Sequence, residues 1–347
     1  MKTWKFGIIG AGNIAAFHAK AIADLPNAQL TAICDNGSGR AKSIADEHHC
    51  QAYSSYDDVL ASGLDLVCIA TPSGLHLEPV VAAAESGIHV ICEKPLEITL
   101  DRIDAMTAAH EKAGTQLGCI FQNRFTPAMT PLREAIAQKR FGRITYAGIY
   151  VPWWREEDYY GGSGNWRGTW KTDGGGAMMN QSIHMVDMLV DLLPEVESLQ
   201  AFTGTLAHPQ IETEDSAVAI LRFTDQSLGI VHGSTGCYPG HLKRFELMGT
   251  EGSAIYLDDA FSLWQFKNET DEDETIRKNF GQSEMSGGGA ADPTAISHSN
   301  HTRNFAAFLE ALENNTPFHL DARKAVQLVL ALYQACRDQK PVKFPQP

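Results

Sequence analysis

From residue 5 to residue 121 the chain alternates short apolar runs with segments of helical spacing. The runs KFGIIG (5–10), LTAIC (30–34), LDLVCIA (64–70), HVICE (89–93) and QLGCIF (116–121) read as strands. Between them, 13–25, 39–48, 75–86 and 100–113 read as helices. Strands that are apolar almost throughout must be covered on both faces, so the pattern predicts an α/β fold with a doubly wound parallel sheet. Beyond Phe125 the texture changes. A helix over 131–138 and a long strand over 143–154 lead into a glycine-rich stretch and a helix from Ala177. Strand-like runs come next at 197–207, 216–223, 227–235, 243–250, 252–258 and 261–266. Turn signals such as Thr224-Asp225-Gln226 and Thr250-Glu251-Gly252 join several of them, which predicts antiparallel meanders. The second half is therefore an α+β domain with a large open, mainly antiparallel sheet. Residues 268–293, acidic and then glycine-rich, read as a solvated loop, with a lid or subunit contact as the alternative. Two amphipathic helices, 300–314 and 321–338, close the sequence.

At 347 residues the chain exceeds one hydrophobic core. The change of texture divides it into 1–123 and 124–347. Apolar residues at 44% and charged residues at 20% suit two ordinary buried cores. The net charge of −14 argues against nucleic acid and anionic membrane as partners, since both are held by basic surface. No apolar run reaches the roughly 20 residues of a membrane span. Seven cysteines, without CxxC spacing and several inside apolar runs, suit free thiols in a reducing cytoplasm. The exposed face of a large sheet makes a homodimer or homotetramer the expected assembly.

Candidate chemistry begins at Gly10-Ala11-Gly12-Asn13-Ile14-Ala15, between the first strand and the first helix. In that context Gly10 permits the tight turn, Gly12 lets backbone N–H groups approach a pyrophosphate, and Ala15 is small enough for helix–strand packing. Asn13 and Ile14 open the helix whose N-terminus would face the phosphates. Asp35 ends the second strand, placed to accept from the adenosine ribose hydroxyls and to repel a 2′-phosphate, so NAD is preferred. Arg40, five residues on, keeps NADP open as the alternative. A dinucleotide implies hydride transfer and a group that handles the proton of a substrate alcohol. No Tyr-x-x-x-Lys, no HExxH and no clustered Cys/His set is present, so no metal is expected.

The segment 173–189, DGGGAMMNQSIHMVDML, carries the second candidate. After Gly174–Gly176 the residues Asn180, His184 and Asp187 recur at helical spacing and share one predicted face. The glycines read as a place where backbone passes close to the nicotinamide. Trp153, Trp154, Tyr159 and Tyr160 offer an aromatic wall for a substrate, with core or interface packing as the alternative.

Glu93-Lys94-Pro95 at the end of the run HVICE completes a set. With the glycine fingerprint before it and the Gly-Gly-Gly…His-x-x-Asp helix after it, the chain resembles the glucose–fructose oxidoreductase/inositol dehydrogenase/MocA family over nearly its full length. The resemblance implies a Rossmann domain, an open-sheet second domain and C-terminal helices that pack back toward the first. It implies Lys94 as the active-site lysine beside the nicotinamide, Glu93 near the cofactor ribose, and His184 as the catalytic histidine. Thr71, Pro72 and His76 in TPSGLH would wrap the cofactor, with Asn123 of QNRF near the nicotinamide and Trp166-Arg167 reaching it from the second domain. Arg124, Asn180, Asp187, Trp154 and His301 would contact the substrate, with Asp187 alternatively accepting from the His184 imidazole to fix its tautomer or capping a neighbouring loop. Asn180 stands where inositol dehydrogenases of the family commonly carry Asp, and an amide cannot accept a hydroxyl proton. The implied activity is NAD(P)-dependent interconversion of a secondary hydroxyl and a ketone on a sugar, sugar derivative or cyclic polyol, with either Lys94 or His184 as the base. Three alternatives stand beside it: a nucleotide-sugar (UDP-sugar) dehydrogenase, an NAD-dependent glycosidase using transient oxidation, and a non-catalytic sugar- or NAD-sensing protein.

Overall fold

The computed structural model describes every residue except 1, 162–165, 282–289, 291–296, 319–320 and 345–347. By internal contacts the described chain forms two units. One comprises 1–122, 171–174 and 297–326; the other comprises 123–170, 175–296 and 327–347.

Six strands build the first unit's sheet: β1 (Trp4–Ile9), β2 (Ala28–Cys34), β3 (Gln51–Tyr53), β4 (Leu66–Ile69), β5 (His89–Cys92) and β6 (Leu117–Cys119). They lie in the order β3-β2-β1-β4-β5-β6, all parallel. This is the doubly wound order, whose reversal point falls between β1 and β4. The connecting helices are α1 (Asn13–Ala23), α2 (Arg40–His48), α3 (Tyr56–Leu60), α4 (Leu77–Glu85) and α5 (Leu100–Ala113). Ala15, Ala19 and Ile22 of α1 pack with Phe6, Ile8, Cys68 and Ile91 of the sheet. Phe305, Phe308 and Leu309 of the late helix α10 (Ser299–Glu313) join the same core, so a segment counted with the second domain in the sequence belongs by contact to the first.

The second unit contains α6 (Met129–Ala137), α7 (Glu157–Gly161), α8 (Ile183–Leu192) and α9 (Asp271–Phe280), together with the part of α11 (Ala322–Asp338) from Gln327 onward. Its strands are β7 (Ile144–Pro152), β8 (Val196–Gly204), β9 (Ser216–Phe223), β10 (Leu228–Ser234), β11 (Arg244–Gly249), β12 (Gly252–Leu257), β13 (Ala260–Phe266) and β14 (Val342–Lys343). They form one sheet in the order β13-β12-β11-β7-β10-β9-β8-β14. The β7–β10 pair is parallel and the other pairs are antiparallel. Burial alternates along β9: Ala217, Ala219, Leu221 and Phe223 face the core, while Val218 and Ile220 face outward.

The stretch expected as a solvated loop is helical over its acidic half. Thr270 and Asp273 form a reciprocal capping box that starts α9. Asp273 is fully buried and also accepts from Arg140 and the Trp264 indole. Most of the glycine-rich half of that stretch lies outside the described residues.

Candidate functional site

In the first unit the chain leaves β1 and turns at Gly10. Its φ of +101° is left-handed, and a Cβ would stand 2.6 Å from the Ala70 carbonyl oxygen, so only glycine fits. Gly12 flanks α1 in extended conformation, and no side chain caps the helix among the described residues. A Cβ on Gly12 would meet no described atom within 4 Å. The exposed Asn13 and half-buried Ile14 come next, and Ala15, in place of the third glycine, is fully buried. Leading N–H groups with no side-chain acceptor at a glycine turn fit a pyrophosphate.

Asp35, at the end of β2, holds its own loop. Oδ1 accepts from the Gly37 N–H at 2.8 Å, and Oδ2 accepts from the Ser38 hydroxyl at 2.7 Å and the Ala41 N–H at 2.9 Å. Burial opposes its ionisation, but the hydrogen bonds from Ala41, Ser38 and Gly37 outweigh it and lower the carboxyl below its usual range. The carboxylate is thus kept charged at the edge where a ribose would lie, with exposed Arg40 opening α2 beside it.

Thr71 donates to the Leu75 carbonyl across the turn that Pro72 begins. His76 is buried, with one ring nitrogen facing the Pro95 and Leu96 carbonyls at 3.1 and 3.0 Å and the other facing Thr71 O at 3.0 Å. The sequence presents His76 as a cofactor contact; in the structure its ring staples the TPSGLH loop to the chain after Lys94.

Glu93 and Lys94 come directly after β5, and the Lys94–Pro95 peptide is cis. Glu93 Oε2 accepts from the Lys94 N–H at 3.0 Å, and Oε1 pairs with His18 Nε2 at 2.8 Å. His18 projects from α1 and is fully buried; its Nδ1 lies 3.0 Å from Cys68 Sγ of β4. Burial opposes charging of this ring, while Cys68 and Glu93 on its two sides raise its pKa. For Glu93, burial opposes ionisation, but the hydrogen bond and charge of His18, with Lys94 behind them, bring the carboxyl down to about 2. His301, on α10, is buried with its ring 5.6 Å from that of His18. Burial and the His18 charge push His301 down to about 4, so it is neutral.

His18, Glu93 and His301 offer atoms within 4.8 Å of one another that could ligate a metal ion. In the structure Glu93 is hydrogen-bonded to the His18 ring, and the charge of Lys94 also acts on it. The cluster is therefore a hydrogen-bonded ion pair that ties α1 to the lysine-bearing turn.

In the second unit two expected substrate contacts are spent on each other. Arg124 grips Asp187 through Nε–Oδ2 at 2.6 Å and Nη2–Oδ1 at 2.7 Å, and Nη1 reaches Asp191 at 2.5 Å. Arg133 also pairs with Asp191. Asp187 is fully buried against that guanidinium, while Asn180 is buried in the turn before α8 and His184 is half-buried. Asn123 is buried, its amide 3.9 Å from Met185 Sδ. The Trp154 indole donates to Glu156 at 2.7 Å, and its ring packs edge-on against Tyr238. The Arg167 guanidinium lies over the rings of Tyr159 and Trp166, at 4.6 and 4.7 Å.

The glycine run is demanded by its protein neighbours. Within the first unit, Gly174 has φ +73° and a Cβ would stand 2.3 Å from the Ile98 side chain. In the second unit, a Cβ on Gly175 would stand 2.2 Å from the Tyr333 hydroxyl and one on Gly176 1.8 Å from the Glu214 carbonyl. A wide π-helical turn, Ala177–Ser182, succeeds the glycines and runs into α8; such turns recur at functional sites. Asn180 lies in it, its Oδ1 accepting from the Tyr159 hydroxyl at 3.2 Å and from Gln181 Nε2 at 2.5 Å. Arg155, almost fully buried, donates to Gln181 Oε1. His184, on the first turn of α8, is half-buried.

His18, Glu214 and Tyr333 carry roles that sequence reasoning missed. For His18 a signal was present: with Ala15, Ala19 and Ile22 it sits on the apolar stripe of α1, where a polar side chain requires a buried partner.

Comparison with known proteins accords with these arrangements. Residues 4–121 match an oxidoreductase family with an NAD-binding Rossmann fold, and residues 129–255 match the GFO/IDH/MocA C-terminal domain. An uncharacterized oxidoreductase, YrbE, of Bacillus subtilis (strain 168) is 31% identical over 259 residues, 72% of each chain. The scyllo-inositol 2-dehydrogenase (NAD(+)) of the same organism is 29% identical over 253 residues, 71% of each. The crystal structure of the WlbA dehydrogenase from Bordetella pertussis, in complex with NADH and UDP-GlcNAcA, superposes with a TM-score of 0.89 at 31% identity, covering 100% of this chain and 99% of that one. With both halves matched in order, and with the uncapped glycine turn and the Glu-Lys-Pro strand end in place, the chain belongs to the GFO/IDH/MocA family of NAD-binding oxidoreductases.

Proposed function

We propose that this chain reversibly oxidises a secondary hydroxyl of a sugar, sugar derivative or cyclic polyol, with residues 1–123 serving the dinucleotide and 124–347 serving substrate and assembly. The observation that carries the reading is the Glu93–Lys94–Pro95 turn at the carboxyl end of β5, braced by His18 from the helix after the glycine turn. Gly10, Gly12, Asn13 and Ile14 would hold the pyrophosphate and Asp35 the adenosine ribose, with Arg40, Thr71, Pro72, Glu93, Asn123, Trp166 and Arg167 as further cofactor contacts. NAD, when bound, supplies the hydride acceptor. Lys94 presents an ammonium that stabilises a developing alkoxide, and His184 takes the hydroxyl proton. The reverse assignment, with Lys94 as base, uses the same two groups, which would titrate jointly. Asn180, Trp154 and His301 remain substrate contacts in this reading; Arg124 and Asp187 do not.

A second reading has a specific support. The WlbA dehydrogenase structure holds UDP-GlcNAcA, and the second unit of this chain gathers the guanidinium groups of Arg155 and Arg167 around Tyr159. Arg155 is buried and bonded to Gln181, so the half-buried Arg167 is the group that a nucleotide-linked, acidic sugar would meet. One panel tests both: purified protein with NAD and, separately, inositols, free hexoses, levoglucosan and UDP-GlcNAcA, monitored by NADH absorbance. Turnover of a neutral sugar or polyol supports the first reading and exclusive turnover of UDP-GlcNAcA the second. No NADH from any member would sink both.

The assembly is argued from the sheet's outward face. Phe202, Val218, Ile220 and Leu228 are 74%, 46%, 61% and 53% exposed on neighbouring strands, with Phe202 directly opposite Val218. An apolar face of this kind suits a second copy of the chain, as a homodimer or homotetramer. Light scattering should give a multiple of the protomer mass, and Ile220→Lys should shift the protein toward monomer. A wild-type monomer at micromolar concentration would refute this assembly. Among the described residues no helix is long and apolar enough to cross a membrane, and seven free cysteines suit the reducing cytoplasm.

A further inference from the structure

Three successive backbone N–H groups at the start of the π-helical turn converge on one residue. Glu214 Oε2 accepts from the Gly176 N–H at 3.0 Å, and Oε1 accepts from the Met178 N–H at 2.8 Å. The Glu214 backbone carbonyl accepts from the Ala177 N–H at 3.0 Å. Tyr333 donates its hydroxyl to Oε1 at 2.8 Å. Glu214 is 4% exposed. Its grip is close enough that Gly175 and Gly176 tolerate no side chain, because Tyr333 Oη and the Glu214 carbonyl occupy the places where a Cβ would go.

A cap that served only to stop fraying would be a Ser, Thr or Asp at the helix's own N-cap. Here the N-cap is Gly176, and the acceptor is a carboxylate brought in from the segment before β9 and buried. Burial pushes that carboxyl up to about 7 against the pull of its hydrogen bonds, so the arrangement is retained at a cost in stability. The gripped turn carries Asn180 and leads directly to His184 on the first turn of α8.

We propose that Glu214, supported by Tyr333, is a positioning residue: it fixes the origin and direction of the turn that delivers His184 and Asn180 to the substrate. The inference rests on the reading of His184 as the proton-handling group. Displacing a catalytic group by about 1 Å costs on the order of 10²-fold in rate. Glu214→Gln keeps the shape but sets an N–H₂ group against one of the backbone N–H donors, so the turn must shift.

The test measures kcat and KM with NAD and scyllo-inositol or, where that is not oxidised, UDP-GlcNAcA, alongside thermal unfolding and NADH affinity by fluorescence. Glu214→Gln is expected to lower kcat roughly 10- to 100-fold with NADH affinity unchanged, and Tyr333→Phe to lower the same parameter less. His184→Ala is the reference. If His184→Ala abolishes turnover while Glu214→Gln and Tyr333→Phe keep wild-type kcat, the positioning role is refuted and the proposed function survives. If His184→Ala itself turns over normally, the functional reading fails first and the positioning role falls with it. Should Glu214→Gln unfold at the assay temperature, Tyr333→Phe decides: a reduced kcat at an unchanged unfolding midpoint supports the role, and an unchanged kcat overturns it.

Discussion

Replacing Lys94 with alanine is expected to lower turnover by about 10²- to 10⁴-fold while the protein still folds and binds NADH. The half-buried side chain leaves the end of β5 and carries no part of the apolar core. Its loss should leave the unfolding midpoint nearly unchanged. The bracing that holds the lysine's backbone does not depend on its ammonium, because Glu93 accepts from the Lys94 N–H and from His18. The electrostatics explain why a lysine is useful there. Glu93 is held ionised by His18, and its charge acts on the Lys94 ammonium at the end of β5. That ammonium can then stabilise an alkoxide forming in front of it. Lys94→Arg keeps the charge but not its compact placement and should recover only a small part of the rate. The measurement is kcat with the panel's best substrate beside an NADH fluorescence titration. A Lys94→Ala protein with parental kcat and intact NADH binding would remove the lysine from the chemistry altogether.

The first unit was legible because its strands are buried on both faces and announce themselves as apolar runs. Helix α5 was read at its observed bounds, Leu100–Ala113. Strand β3 and helix α3 escaped: three exposed or half-buried residues at the sheet edge and a five-residue helix carry no periodic signal. Helix α9 escaped for a related reason. Only Asp273 and Ile276 are buried along it, so it has no apolar stripe, and its capping box was the one visible sign. At the site, the glycine turn was readable because its spacing constrains backbone chemistry directly, and the Glu-Lys-Pro end of β5 was readable through the family resemblance. Partner choice was not. Nothing in the one-dimensional pattern says whether Asp187 faces a sugar or Arg124, since both leave it on a helix four or three residues from other polar groups. The π-helical turn adds a second difficulty, because face arithmetic assumes a regular α-helix from Ala177 onward. The grip of Glu214 on Gly176 joins positions 38 residues apart and has no sequence signature.

The Arg124–Asp187 pair gives the largest effect expected on stability. Asp187 is fully buried and Arg124 nearly so, their side chains 0% and 10% exposed. Arg124 and Arg133 balance Asp187 and Asp191, so the network is neutral as a whole. Removing one member leaves a buried charge without its counter-ion, at a cost of about 3–5 kcal/mol. In a domain of this size that corresponds to an unfolding midpoint lowered on the order of 10 °C. Arg124→Ala should therefore unfold early yet, at a temperature where it remains folded, bind the panel's best substrate with unchanged KM. The paired replacement Arg124→Met/Asp187→Leu exchanges the ion pair for apolar contact and should regain most of the loss, because it is the unpaired charge that destabilises. Asp191 keeps Arg133 in that variant, so no second orphan is created. The family resemblance would have both residues touch the substrate, and the two accounts part cleanly. If Arg124→Ala keeps its unfolding midpoint and instead raises KM for the sugar, the pair belongs to the substrate after all. If the double variant is no more stable than Arg124→Ala, the pair's contribution lies in its hydrogen-bond geometry and not in charge balance.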